Sequence, residues 1–338
     1  ISNFSVDEIN NYENIHRNEL SFGNFKKLLY ACPNVKVFKC FVSIGNTQRI
    51  KSFLHPRSFQ ELYINFATDK FFCGKSCLND LFKFLINCQT KKLTIDVKCC
   101  TNYDHLKSFL ASQTQLEYLD LTNAEYSAAI FQNKTLIDVK FRLKTFKSFN
   151  TFRQSNFTEF EHDQTMKHLN KFLNLHKNSL EHLTMKKVDD SLAEILNNFT
   201  KLKFISVIEI SPRFLRNNLI KEFSTMDIDK INYFQSVETL KIWFCEIDEI
   251  KLPKTVNSLT LYNTSHKHSK PFAFDDTNLE ELTVIKYSTE LDWLIEYLLR
   301  PETNLKSLTL LQNYKMSRVF KDWILLCLRG KDTVVKIE

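Results

Sequence analysis

Glycine and proline are scarce in this 338-residue sequence, at four and six residues. A chain so poor in glycine cannot carry several loops that cradle phosphate with their backbone. The fragment nearest to such a loop's end is Gly74-Lys75-Ser76 in FFCGKSC. It has Asp69 where the earlier glycine belongs, so it reads as a solvated turn. No stretch approaches about 18 uninterrupted apolar residues, which argues against a membrane span. The first residues, ISNFSVDEIN, lack the basic and apolar regions of a signal peptide.

Metal-binding and catalytic patterns are missing too. The pairs Cys73/Cys77 and Cys99/Cys100 have no second pair or histidine at zinc spacing, and His266 and His268 in TSHKHSK have no third ligand placed by the sequence. No Ser/His/Asp or Cys/His set stands out, so neither an enzyme nor a cofactor is expected. Five N-x-S/T sequons, at Asn3, Asn133, Asn156, Asn198 and Asn263, are what chance gives an Asn-rich chain and do not imply secretion.

What the chain does have is hydrophobic mass, Phe numbering 30 and the apolar fraction 43%. The nine cysteines are an odd number, and Cys40, Cys88 and Cys327 occupy apolar-periodic positions. That usage suits reduced, buried thiols in a cytoplasmic or nuclear protein. The net charge of +7 comes from 46 basic and 39 acidic residues scattered through the chain, which suits solvated faces and argues against a nucleic-acid partner. A start at Ile1 suggests a fragment of a longer product.

One phrase organises the rest. LKSLTLLQN, Leu305 to Asn313, fits the leucine-rich-repeat strand signature L-x-x-L-x-L-x-x-N/C, with Leu305, Leu308 and Leu310 apolar and Asn313 in the backbone-bonding place. The frame recurs with first anchors at Val35, Phe59, Thr90, Leu116, Leu136, Phe157, Leu180, Leu202, Val237, Val256, Leu279 and Leu305. Most intervals fall between 19 and 26 residues, with longer ones of 31 before Thr90 and 35 before Val237. Thr90 is a poor anchor, and the Phe157 unit fits worst because His162 falls where an aliphatic belongs.

Between the anchors, LNDLFKFLINC and MKHLNKFLNLHKN carry apolar residues at helical spacing. SLAEILNNF starts with Ser191 as N-cap and Glu194 three residues on, a capping box. LDWLIEYLLR is stopped by Pro301. FLRNNLIKEF reads as a helix inside an insertion between Ser211 and Ser236, and VFKDWILLCLRG as a last helix that packs on the final strand and closes the structure. The expected fold is α/β: a leucine-rich-repeat solenoid, or horseshoe, of about twelve strand-turn-helix units over residues 33–338. Its parallel strands line the concave face. Residues 1–32, with Phe22, Phe25, Leu28 and Leu29 at helical spacing, form a helical cap or linker.

In a repeat strand the consensus leucines face the core, so positions three, five and seven face the concave surface. Position seven reads Phe41, Asn65, Asp96, Thr122, Arg142, Asp163, Lys186, Ile208, Trp243, Tyr262, Ile285 and Leu311. The first seven are mostly polar or charged and the last five all apolar or aromatic. At roughly 4.8 Å per strand, those five form a ridge on the order of 20 Å long. Position five beside it holds Ser206, Lys241, Thr260, Thr283 and Thr309. An exposed apolar row with a polar rim has the make-up of a protein-binding surface. Glu159, Glu161 and Asp163 read as carboxylates on one face of a strand, an acidic patch that helps to select a partner.

The phrases FLNLHKNSLEHLTMKKV and FLASQTQLEYLDLTN resemble the helix-to-strand joints of F-box and leucine-rich-repeat proteins, particularly their divergent expanded sets in insects. The resemblance spans roughly residues 33–338. It implies that the repeats hold a protein substrate for ubiquitination, while an F-box upstream binds a Skp-type adaptor and a cullin scaffold. Residues 1–30 lack the L-P dipeptide that usually opens an F-box. A leucine-rich-repeat adaptor or regulatory scaffold with no ubiquitin link is the other reading of the same pattern.

Overall fold

A computed structural model describes residues 30–32, 34–41, 57–66, 77–97, 104–122, 130–131, 136, 138–148, 159–216, 219–226, 231, 236–244, 246–247, 250–266, 272–273, 278–287, 291–301, 303–312 and 316–337. The helix expected around Phe22–Leu29, the fragment Gly74-Lys75-Ser76, Cys73, Cys99, Cys100, His268 and Asn313 lie outside them, as do the side chains of Cys40, Cys77, Glu159, Glu161 and His266. The chain divides into two compact units, Ile1–Lys186 with Asn198–Lys201, and Lys187–Asn197 with Leu202–Glu338.

In the first unit, strands β1 (Val37–Phe41), β2 (Arg57–Phe66), β3 (Cys88–Val97), β4 (Tyr118–Asp120), β5 (Thr145–Ser148) and β6 (His182–Val188) lie side by side in chain order. Every pairing is parallel. Parallel neighbours need a crossover, and helices lie in three of the five: α1 (Cys77–Phe84) before β3, α2 (Asp104–Ser112) before β4 and α3 (Glu159–Asn174) before β6. The register stacks Phe38, Leu62, Leu93, Leu119, Phe146 and Leu183 in one line across the sheet, and all six are buried. A slip of one residue would turn a whole strand's apolar set outward. Each such side chain contributes about 1.5–3 kcal/mol by leaving water.

The second unit holds β7 (Phe204–Ile210), β8 (Glu222–Thr225), β9 (Thr239–Trp243), β12 (Ser258–Tyr262), β15 (Glu281–Ile285), β16 (Ser307–Leu311) and β17 (Val334–Ile337), again parallel and in chain order. Thirteen strands therefore stand in parallel order, six and seven, among the described residues. Short strands pair beside them, β10 (Glu246–Ile247) with β13 (Ser265–His266) and β11 (Ile250–Lys251) with β14 (Phe272–Ala273). Helices α4 (Asp190–Leu196), α5 (Asp292–Leu298) and α6 (Arg318–Cys327) complete the unit. Its core line runs Ile205, Phe223, Leu240, Leu259, Leu282 and Leu308, all buried. Among the described residues no helix is long and apolar enough to cross a membrane.

Several expectations need correction. The Leu136 frame is not a strand: Leu136, Val139, Phe141 and Leu143 are buried on irregular backbone, and the strand follows at Thr145. The Phe157 frame enters α3, because the run Met166, Leu169, Phe172 and Leu173 continues a helical period back to Glu159. In place of a helix over FLRNNLIKEF there is a 3₁₀ turn, Pro212–Arg216, followed by β8. Asp189, not Ser191, caps α4: its carboxylate accepts the Leu192 N–H at 2.8 Å, and the Ser191 hydroxyl donates to that same carboxylate. Nor does α6 end the ladder, since β17 follows it and pairs with β16.

Two buried polar side chains hold the first unit. Gln113 follows α2 and is fully buried. Its carbonyl accepts the Thr90 N–H at 2.8 Å, and its amide donates to the carbonyls of Cys88 (2.9 Å) and Phe109 (3.1 Å). This clamp explains how Thr90, a weak apolar anchor, still sits in the core. Burial also pushes the neighbouring Cys88 thiol up to about 11, so it stays protonated.

His176 is the second. Its ring stacks on Phe141 at 5.6 Å and meets the edge of Phe172 at 4.8 Å, and its Nδ1 accepts the Leu143 N–H at 3.3 Å. Burial, assisted by the Arg142 charge, lowers the imidazole to about 3. Below the ordinary value of 6.5 the unfolded chain takes up a proton that the folded one refuses. The stabilisation is thus complete above pH 6.5 and lost as pH falls towards 3.

Gln113→Leu, which strands the Thr90 N–H and the Cys88 carbonyl, is expected to cost about 1–3 kcal/mol in urea unfolding; an unchanged midpoint would show that the clamp contributes nothing. Lowering pH from 7.5 to 5.0 is expected to cost the wild type about 2 kcal/mol through His176. His176→Leu starts less stable but should lose less over the same range. An equal loss in both proteins would place the acid sensitivity elsewhere.

Candidate functional site

The strands of the second unit end in a shared backbone device. Phe244, Asn263, Lys286 and Gln312, one residue beyond β9, β12, β15 and β16, all have left-handed φ of 49–54°. For a residue with a Cβ this costs roughly 1–2 kcal/mol. Three of the turns keep the ladder going: the N–H of Phe244 donates to the carbonyl of Tyr262 (3.0 Å), that of Asn263 to Ile285 (2.8 Å) and that of Lys286 to Leu311 (3.0 Å). Because the strands end alike, the side chains just before these turns fall in line.

That line is the apolar row. Trp243, Tyr262, Ile285 and Leu311 stand in direct register on β9, β12, β15 and β16. Ile208 lies on β7, and the register of β7, β8 and β9 puts Met226 between Ile208 and Trp243. The row therefore has six members, in the order Ile208, Met226, Trp243, Tyr262, Ile285 and Leu311. Trp243 is 38% exposed and the other five are half-buried. Alternation along each strand explains this: Ile242, Leu261, Val284 and Leu310, one residue earlier, are fully buried.

Aromatic contacts stiffen the middle of the row. The Trp243 and Tyr262 rings lie 5.7 Å apart, and Phe244, 52% exposed, meets Tyr262 edge-on at 5.3 Å. The Lys286 ammonium sits 5.7 Å from the Tyr262 ring centre. Lys241, in the neighbouring row, is bound to the carboxylate of Glu222 on β8 and lies 5.9 Å from the Phe204 ring. Its partners in that row are the small hydroxyl residues Ser206, Ser224, Thr260, Thr283 and Thr309. The surface thus offers preordered aromatic and aliphatic side chains along a hydroxyl-lined shelf.

Met226 and Phe244 escaped the sequence reading for different reasons. Met226 ends the frame Ile220-x-x-Phe223-x-Thr225, whose sixth position is a threonine, so β8 was hidden inside an apparent insertion. Phe244 is brought beside Tyr262 by a left-handed turn, which a non-glycine residue does not announce. The acidic trio behaves differently from expectation. Glu159, Glu161 and Asp163 begin α3, and helix positions two apart are turned by roughly 200° about the axis, so no one-faced carboxylate row forms. They belong to the first unit, whereas the apolar row belongs to the second.

The second unit also has an open hollow of about 620 Å³ lined by Lys187, Asp189, Asp190, Glu209 and Ser211. Its carboxylates are engaged. Asp189 caps α4, Asp190 accepts the Ser211 hydroxyl at 2.5 Å and pairs with Arg213, and Glu209 pairs with Lys187. This is a structural network at the start of a helix. Among the described residues, no three His, Cys, Asp or Glu side chains converge on a metal-sized site. No protein-family model matches the chain, and no curated protein matches it in sequence.

Proposed function

We propose that this chain is a protein-binding leucine-rich-repeat solenoid whose apolar row, Ile208 to Leu311, holds a partner protein on the concave face of a horseshoe. The observation that carries this reading is the row itself: six large apolar or aromatic side chains, aligned by strand register and left partly in water. Single exposed apolar residues are common on any surface, but an aligned set with a polar shelf beside it has the composition of an interface centre. Tryptophan and tyrosine are the residue types that most often dominate binding energy there.

The same reading takes the repeats as the substrate-recognition part of an F-box type ubiquitin ligase, non-catalytic in themselves. The support is the resemblance of the helix-to-strand joints to that family. A Skp-type adaptor and a cullin would then be partners through an F-box outside these repeats. The protein would work in the cytoplasm or nucleus.

Affinity purification of the full-length product from its own cells tests the ligase reading: Skp-type adaptor and cullin are expected among the captured proteins. Their absence while other proteins bind would leave an adaptor or regulatory scaffold with no ubiquitin link. For a captured partner, Trp243→Ala and Tyr262→Ala are each expected to weaken binding by about 1–3 kcal/mol with unfolding midpoints preserved. Full affinity in the double variant would remove the row as the site.

A further inference from the structure

The apolar row carries free hydrogen-bond donors as well as apolar surface. Among the described residues neither the Trp243 indole N–H nor the Tyr262 hydroxyl has a hydrogen-bond partner, and the hydroxyls of Thr260, Thr283 and Thr309 on the shelf have none either. The Lys286 ammonium lies 5.7 Å from the Tyr262 ring centre and, among the described residues, has no ion pair. Indole and ammonium groups donate and cannot accept. Two carboxylates on strands of the row are engaged, Glu222 by Lys241 and Glu281 by the Ser258 hydroxyl at 3.0 Å. A segment that fits this surface therefore brings acceptors and apolar faces, and few N–H groups of its own to leave unpaired.

A polyproline II segment has that make-up. Proline has no N–H, and the helix makes no internal hydrogen bonds, so its carbonyls remain open to outside donors. Such segments dock on aromatic-lined surfaces, and their conformation is set before binding. Here Trp243, Phe244 and Tyr262 supply three rings in mutual contact, Trp243 and Phe244 being 38% and 52% exposed.

Spacing separates this segment from the alternatives. Row neighbours are set by strand separation, roughly 4.8 Å, so every second member recurs at about 9.6 Å. A polyproline II helix turns once in three residues of about 3.1 Å, or roughly 9.3 Å, and stays in step along the row. An α-helix, at about 5.4 Å per turn, slips by roughly 3 Å over the five intervals between the six members. An extended strand repeats every two residues, at about 6.7 Å, and matches neither spacing.

We propose that the row takes a proline-rich segment of the partner in the polyproline II conformation, laid across the strands. Its prolines rest on Trp243, Phe244 and Tyr262, and its carbonyls accept from Trp243, Tyr262 and Lys286. This rests on the reading of the row as a partner-binding surface and adds the chemistry of what binds there.

A dye-labelled peptide of about ten prolines spans roughly 31 Å, enough for the whole row. Its fluorescence anisotropy, titrated with the 338-residue chain to about 500 µM, is expected to rise to saturation, while a Gly-Ser peptide of the same length does not bind. Trp243→Ala is expected to weaken oligoproline binding about tenfold. Tyr262→Phe keeps the ring and removes the donor, so it should weaken binding about threefold with an unchanged unfolding midpoint. Absence of saturable oligoproline binding overturns the inference, as does equal binding of the Gly-Ser peptide or undiminished affinity in Trp243→Ala. If a captured partner still loses affinity on Trp243→Ala while oligoproline does not bind, this inference fails and the row stands as the site of a segment of another shape.

Discussion

Everything in this structure depends on parallel strand register. A parallel strand satisfies its backbone only against a neighbour, and its core side chains are covered only if that neighbour stays in step. On β12, Leu259 and Leu261 meet Leu240 and Ile242 of β9 on one side and Leu282 and Val284 of β15 on the other. Helices and turns differ widely between one crossover and the next, from the 16 residues of α3 to the short strands around β10. They are free to vary because they need only return the chain to register.

The fold was largely legible because that constraint writes itself into the sequence as apolar pairs two residues apart. Ten of the twelve anchors lead into strands. The failures show what the pattern measures. Leu136, Val139, Phe141 and Leu143 alternate as a strand would and are buried as expected, but their backbone is irregular, so periodicity reported burial and not pairing. β5 itself was missed because its second core position is Ser148, and β8 because its second is Thr225. β17 carries Val335 and Ile337 but has Asp332 where the frame's first apolar residue belongs. A hydroxyl residue in a core position, or a charge at the anchor, is invisible to a leucine frame, although Ser148 and Thr225 are as well buried as many apolar neighbours.

The candidate site was legible to the same degree and for the same reason. Register fixes which positions line up, so five of the six row members followed from counting along the strands. What counting could not supply is the third dimension of the turns. Phe244 joins the aromatic cluster because its backbone turns left-handed, and Lys241 is tied to Glu222 because β8 separates β7 from β9. The acidic trio at the start of α3 failed for lack of a strand to stand on.

The left-handed turns bear on why side-chain chemistry is less constrained along the row than at the core-facing positions. Four non-glycine residues hold a strained conformation at matching places, and at three of them, Phe244, Asn263 and Lys286, the turn's N–H completes a bond to the next strand that helps the strain persist. A Gly-poor chain thus accepts a cost of roughly 1–2 kcal/mol per turn in order to end its strands alike. The residues just before those turns are held in line by backbone alone, whatever their side chains. Register and core packing forbid change one residue earlier, at Ile242, Leu261, Val284 and Leu310. At Trp243, Tyr262, Ile285 and Leu311 they impose position without imposing identity, which leaves the chemistry of that line free of the demands of folding.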